Sequence, residues 1–208
     1  MKFAKHSVSA LVLALAGAFS VAAQASADNM VVAVQQLPPT VEPQGVNNNA
    51  NDRVAYSIYE TLIRADQKTG ELHPGLAVSW KRISPETVEF KLREGVKFQD
   101  GTDFTADDVV FSFGEERFMG KNAPGRAAAG EFLGGLKSVE KVDDYTVRVT
   151  MNTADPLIER RFSARMSEII SEDGYKKAGG WDNWIKHPIG TGPYEIVEFK
   201  TGNRLALK

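Results

Sequence analysis

Two stretches of the chain alternate apolar and polar residues with a period of two. The first contains the apolar positions Leu76, Val78, Trp80 and then, beyond the turn residues Ser84-Pro85-Glu86, Val88, Phe90 and Leu92. The second runs from Val139 to Met151 and has Asp143-Asp144 at its centre. Alternation on both sides of a turn predicts two β-hairpins, each with one buried and one solvent-facing side.

Helical spacing appears in four other stretches. Val54, Ile58 and Leu62 recur every four residues and predict a helix that starts near Asp52. Thr105 with Asp108 three residues later has the form of a capping box, and we expect that helix to reach about Met119. Asp155-Pro156 predicts another helix start, with the helix continuing to about Met166, and 172–187 forms a fourth, amphipathic stretch.

Two further strands are expected close to the two ends of the chain. Met30 to Gln35 is apolar and stops at Pro38-Pro39, where ladder hydrogen bonding is blocked. Tyr194 to Phe199 is followed by the turn Thr201-Gly202-Asn203 and by the opening of another strand. An apolar segment that begins a hairpin predicts a sheet at this end of the chain.

The first 27 residues have the three parts of a secretory signal peptide. Lys2 and Lys5 precede an apolar run over 8–19, and Ala25-Ser26-Ala27 follows as a cleavage site. We therefore expect export, with cleavage after Ala27. The sequence contains no cysteine, which excludes disulfides and the cysteine that a lipid anchor requires. These features favour a freely soluble periplasmic protein.

Composition and motifs indicate neither an enzyme nor a nucleic-acid-binding protein. Hydrophobic residues make up 42% and charged residues 25% of the chain, and the formal net charge is −2, so no basic surface for nucleic acid is expected. The histidines lack metal-ligand spacing, and Gly101 directly after Asp100 breaks the order of an EF-hand loop. No nucleophile motif or phosphate-binding loop occurs. We expect no catalytic residue, no metal and no cofactor.

Several segments, taken in order, are similar to the extracellular solute-binding proteins of family 5, the peptide- and nickel-binding components of ABC importers. They are YETLIRAD, PGLAVSW, VEFKLREGVKFQDGTDFTADDVVFSF and GTGPY. The resemblance implies a mixed α/β fold of the type II periplasmic-binding-protein kind. It also implies a signal peptide at 1–27, domain I at 28–60, a small inserted domain at 61–186, and a return to domain I at 187–208. On this comparison the chain is expected to be an N-terminal fragment that lacks the second lobe.

The resemblance also implies a function and a set of ligand-contacting residues. The chain would capture a solute, with peptides favoured, for an ABC permease in the inner membrane, as a monomer. The open alternatives are a truncated product with little binding of its own, or a nickel complex, opine or sugar as ligand. Asn47, Asn48 and Asn49 align with a loop that lines the ligand cleft, although an Asn-rich turn that caps the helix is an equal reading. Arg161 and Arg165 lie where some relatives hold carboxylates, although a solvated helix face explains them too.

Overall fold

The computed structural model describes residues 30–208, so the predicted signal peptide and its cleavage after Ala27 lie outside the described residues. The fold is mixed α/β, as expected. In chain order the elements are α1 (Asn49–Ile58), β1 (Ile63–Ala65), β2 (Leu72–Pro74), β3 (Ala77–Ser84), β4 (Thr87–Leu92), α2 (Ala106–Ser112), a π-helical turn (Glu115–Met119), α3 (Arg126–Leu133), β5 (Leu136–Asp143), β6 (Thr146–Met151), α4 (Ile158–Arg161), α5 (Glu172–Ala178), α6 (Trp181–Trp184), β7 (Ile196–Lys200) and β8 (Arg204–Leu207).

The central feature is a four-stranded antiparallel sheet in the order β3-β4-β6-β5. Both predicted hairpins, β3–β4 and β5–β6, are confirmed, and pairing of β4 with β6 joins them. One face of β4 and β6 is fully buried, with Val88, Phe90, Val147 and Val149 each 0% exposed. This face packs against residues of α2, α3 and α4 in a hydrophobic core built from residues 62–169. The alternation in the sequence thus sets which face of the sheet is inside.

Strand β3 departs from the predicted alternation at its first residues. Leu76 and Ala77 are both buried, Val78 is 43% exposed, and Trp80 is half-buried against the core. The pairing register of β3 with β4 shifts between Ala77 and Ser79. A bulge at this point turns Val78 outward, because the extra residue reverses the alternation locally. The prediction that Val78 shares the buried face with Leu76 is therefore wrong.

The helices are shorter than the periodicity predicted. The capping box of Thr105 and Asp108 at the start of α2 is confirmed, but α2 ends at Ser112 because Gly114 adopts extended backbone with ψ 178°. Helix α4 ends at Arg161 and does not reach Met166. The hydroxyls of Ser163 and Ser167 donate to the carbonyls of Arg160 and Ala164, which competes with helical hydrogen bonding.

The fourth predicted helix, 172–187, is divided into α5 and α6. Gly179 and Gly180 separate the two, and both have positive φ angles of 80° and 104°. A left-handed residue at this position ends a helix, and glycine adopts it without a steric penalty. Helices α5 and α6 bury Tyr175 and Trp184 in a second core, which also includes Val41, Ile58 and partly buried residues of β7 and β8.

The GTGPY segment packs directly against the end of α1. Gly192 donates its backbone N–H to the carbonyl of Ile58 at 2.8 Å, and a Cβ at Gly192 would lie 2.5 Å from the carbonyl carbon of Ile58. The Gln99 side chain bridges the two segments, donating to the carbonyls of Ile58 and Tyr194 at 3.0 and 2.6 Å. The glycine is required because only a residue without a side chain fits so close to the helix.

The two predicted terminal strands have different outcomes. The C-terminal hairpin is confirmed: β7 and β8 pair around Thr201-Gly202-Asn203. The prediction of a strand from Met30 to Gln35 is wrong. This segment adopts no regular structure, and the side chains of Met30 and Val31 are 86% and 91% exposed. A strand needs a neighbour to complete its hydrogen bonds.

Between residues 30 and 208 no helix is long and apolar enough to cross a membrane.

Candidate functional site

The loop that precedes α1, residues 40–48, is buried over much of its length and is held by side chains. Val41, Glu42 and Gln44 are each 0% exposed. The Tyr59 hydroxyl donates to the carbonyl of Val41 at 3.0 Å, and the Asn51 amide donates to the carbonyls of Glu42 and Val46 at 3.2 and 3.3 Å. A buried loop must satisfy its backbone polar groups, and these hydrogen bonds do so for the carbonyls of Val41, Glu42 and Val46.

A buried ion pair anchors this loop to the π-helical turn. Arg117 donates to the Glu42 carboxylate, and both side chains are 0% exposed. Arg117 also donates to the carbonyl of Ser112 at 3.3 Å. Burial lowers the pKa of Arg117 to about 9, which still leaves the guanidinium charged at neutral pH. The contact with Glu42 supplies the opposite charge that a buried guanidinium needs.

Gln44, another buried residue of the loop, contacts a turn that contains the strained residue Met166. Its amide donates to the carbonyls of Ser112 and Met166 at 3.1 and 3.3 Å. Met166 has a φ angle of 69°, and among residues 30–208 no other non-glycine residue has a positive φ. Strain of this kind persists only where surrounding contacts hold it. The neighbouring residue, Arg165, contacts Asn49 and Asp52 at the start of α1.

A buried carboxyl, Glu168, lies next to this turn. Its side chain is buried and its Oε2 atom has no hydrogen-bond partner within residues 30–208. Burial, with a smaller contribution from the Asp52 carboxylate, raises the pKa of Glu168 to about 8, although backbone hydrogen bonds act in the opposite direction. Glu168 is therefore mostly protonated at neutral pH. The interior beneath the loop carries one ion pair and one neutral acid.

The three consecutive asparagines have three different contacts. Asn48 is the N-cap of α1, and its side chain accepts from the backbone N–H of Asn51 at 2.8 Å. Asn47 donates its amide to the Glu131 carboxylate at 2.8 Å. Asn49 accepts from the Arg165 guanidinium at 3.4 Å. The helix-capping reading of the Asn-rich turn holds for Asn48, while Asn47 and Asn49 point toward other elements.

The side chains of Arg161 and Arg165 both contact Phe132, near the C-terminal end of α3. Arg165 pairs with Asp52 at 2.7 Å and lies over the Phe132 ring, 5.1 Å from its centroid. Arg161 pairs with Asp155 at 2.6 Å and donates to the carbonyl of Phe132 at 2.5 Å. Both side chains remain 31% exposed.

Four of the five candidate residues therefore come together around two residues of α3. We call this group the α3 cluster; its members are Asn47, Asn49, Asp52, Glu131, Phe132, Asp155, Arg161 and Arg165. Sequence reasoning missed Glu131 and Phe132, because α3 gave no motif of its own. It also missed the Glu42–Arg117 pair, since the two residues are 75 positions apart and only tertiary structure joins them.

The described residues contain no group of side chains arranged to bind a metal. Within residues 30–208 no three or more histidine, aspartate or glutamate side chains are arranged to hold a metal ion. The site combines amides, guanidiniums, carboxylates and one aromatic ring. Such groups bind and orient a polar ligand through hydrogen bonds and charge.

Comparison with known proteins identifies the class. The sequence profile of the bacterial extracellular solute-binding proteins, family 5 Middle, matches residues 71–208. The chain belongs to this family, and the resemblance noted in the sequence is confirmed.

Particular relatives include Heme-binding protein A of Haemophilus influenzae and the dipeptide-binding protein of Escherichia coli. The first is 34% identical over 78% of this chain, which spans 32% of that protein. The second is 29% identical over 92% of this chain, which spans 39% of that protein. The chain therefore spans about a third to two fifths of the length of these relatives.

Solved structures give the same fold. The periplasmic binding protein DppA from Helicobacter pylori, in complex with the peptide STSA, matches with a TM-score of 0.71 and 26% identity. The match covers 83% of this chain and 37% of that protein. The binding protein MoaA of A. tumefacien R10, in complex with mannopinic acid, matches with a TM-score of 0.70 and 27% identity. The type II periplasmic-binding-protein fold is thus present here in part.

Proposed function

We propose that this chain captures a solute, preferably a peptide, in the periplasm and delivers it to an ABC permease in the inner membrane. The observation that carries the proposal is the α3 cluster. There the amides of Asn47 and Asn49, at the end of the buried loop and the start of α1, lie near the guanidiniums of Arg161 and Arg165. Peptides carry carboxylates and backbone carbonyls, which guanidinium and amide donors recognise. Two relatives support the same ligand class: the dipeptide-binding protein of Escherichia coli, and DppA from Helicobacter pylori in complex with the peptide STSA.

Within this proposal each candidate residue has a role. Asn47 and Asn49 face the ligand, and Asn48 positions them by capping α1. Arg165 presents the N–H groups that Asp52 leaves free to a ligand carboxylate, with Arg161 beside it. A planar guanidinium with five donors can hold two carboxylates at once, so its pairing with Asp52 does not exclude a ligand.

The domain division is part of the proposal. Residues 28–60 and 187–208 would belong to domain I and 61–186 to a small inserted domain, following a signal peptide at 1–27. The two hydrophobic cores support a division of this kind, although Ile170, Tyr175 and Trp184 pack in the core that contains α1. Hydrogen exchange tests it: amides at 88–92 should exchange much more slowly than those at 196–199. Equal protection would contradict two separate units.

Isothermal calorimetry with defined tripeptides tests the ligand class. We expect saturable binding in the micromolar range, about −8 kcal/mol. Arg165→Gln should weaken it, whereas Arg160→Gln, at an exposed arginine outside the α3 cluster, should leave it unchanged. Equal loss in both variants would contradict a specific role for Arg165.

The second candidate is a ligand that is not a peptide. The relatives named for heme and for mannopinic acid favour this alternative, and a carboxylate-bearing opine would use the same guanidinium. Competition between a tripeptide and mannopinic acid in the same titration separates the two. Absence of binding to either would instead favour a chain with little affinity of its own.

A further inference from the structure

The carboxylate of Glu131 differs from the other acids of the α3 cluster. It lies on α3 with an exposed side chain, and the amide of Asn47 fixes one of its oxygens at 2.8 Å. Asp52 and Asp155 are paired with Arg165 and Arg161. Within residues 30–208, Glu131 forms no ion pair.

The cluster consequently has an unbalanced negative charge at a defined position. The cluster contains three carboxylates and two guanidiniums, and the carboxylate outside the two ion pairs is that of Glu131. The Asn47 side chain that donates to this carboxylate also carries an amide oxygen, which is a second kind of acceptor. An ammonium group offers three donors and a guanidinium five, and either can use both acceptors.

We propose that Glu131 determines ligand specificity by binding a cationic side chain of the captured peptide. This inference rests on the proposed function, because it assigns Glu131 to the same site as Asn47 and Arg165. Ligands with lysine or arginine next to a free carboxylate are then preferred: the carboxylate contacts Arg165 and the cationic side chain contacts Glu131. The amide of Asn47 acts as a positioning group, since it holds the carboxylate in one orientation.

The test compares two tripeptides that differ in one charge, Ala-Lys-Ala and Ala-norleucine-Ala. Calorimetry on the purified exported protein should show that the lysine peptide binds about fivefold more tightly, the order of an exposed ion pair. The preference should shrink as salt is raised from low to high concentration, because screening weakens exposed charges. A purely structural role for Glu131 would not give this salt dependence.

Variants assign the preference to the residue. Glu131→Gln keeps the shape and removes the charge, and it should abolish the preference, so that the lysine and norleucine peptides bind this variant with equal affinity. Glu131→Asp should retain part of the preference. The matched control is Glu140→Gln, at an exposed acid on β5 outside the cluster, and it should bind as the unaltered protein does.

The remaining outcomes overturn the inference in distinguishable ways. A preference that survives in Glu131→Gln, or one that is lost in Glu140→Gln as well, excludes Glu131 as the determinant while peptide binding stands. Equal affinity of the unaltered protein for both peptides does the same. If the unaltered protein binds neither peptide, the proposed peptide function fails and this inference fails with it.

Discussion

Removing one partner of the Glu42–Arg117 ion pair should strongly destabilise the protein. Both side chains are completely buried, so Arg117→Met leaves the Glu42 carboxylate without a counter-charge in the interior. Breaking a buried pair in this way costs about 3–5 kcal/mol, a large part of the 5–15 kcal/mol that stabilises a typical domain. With a urea m-value of about 2 kcal/mol/M, the unfolding midpoint should fall by about 2 M.

A double-mutant cycle decides whether the pair itself is responsible. Glu42→Leu and Arg117→Met are measured singly and together by urea unfolding, followed by far-ultraviolet circular dichroism. The double variant should recover most of the lost stability, because apolar residues of similar volume replace buried ion pairs at little cost. If the losses of the two single variants simply add, the two groups are independent and the anchoring of the loop by this contact is refuted.

Three further predictions concern stability. Thr105→Ala should cost about 1 kcal/mol, the usual value of an N-cap, because Thr105 caps α2 in the structure; an unchanged urea midpoint would contradict this. Trp80→Ala should cost about 2 kcal/mol, less than the 3–5 kcal/mol expected for its fully buried cross-strand neighbour Phe90, and equal losses by urea unfolding would show that Trp80 contributes as much packing as a fully buried side chain. Glu168→Gln should match the unaltered protein near pH 5 and exceed its stability increasingly up to about pH 8, since a folded pKa of about 8 against an ordinary 4.5 means that the ionised acid opposes folding. Thermal unfolding between pH 5 and 9 measures this difference, and a constant gap would argue against a buried neutral acid.

The parts of the fold that follow from local pattern were predictable. Phe90 and Val149 lie inside because alternation around tight turns fixes both the hairpins and their buried faces. Thr105 and Asp108 specify the start of α2 through hydrogen bonds within four residues of chain. Helix ends were predicted less well. Helix α4 stops at Arg161 because serine hydroxyls and the left-handed Met166 interrupt it, and residue spacing alone does not reveal such interruptions.

The candidate site was predictable only as a set of separate residues. The asparagines and the two arginines were marked through a family resemblance, and the ligand-binding roles of these residues stay predictions. Their contacts depend on α3, whose Glu131 and Phe132 lie more than 80 positions from Asn47 in the chain. No short-range pattern records such a pairing.

The sequence by itself determined the class of protein, both hairpins of the sheet and the capped start of α2, since each depends on residues close together in the chain. It also carried the GTGPY motif, but only the tertiary structure explains it, through the contact of Gly192 with the end of α1. Tertiary structure alone decided that Val78 turns outward, that Glu42 meets Arg117 in the interior, and that Glu131 keeps an unpaired charge within the described residues. The physical reason is that burial and charge balance depend on neighbours that distant segments supply.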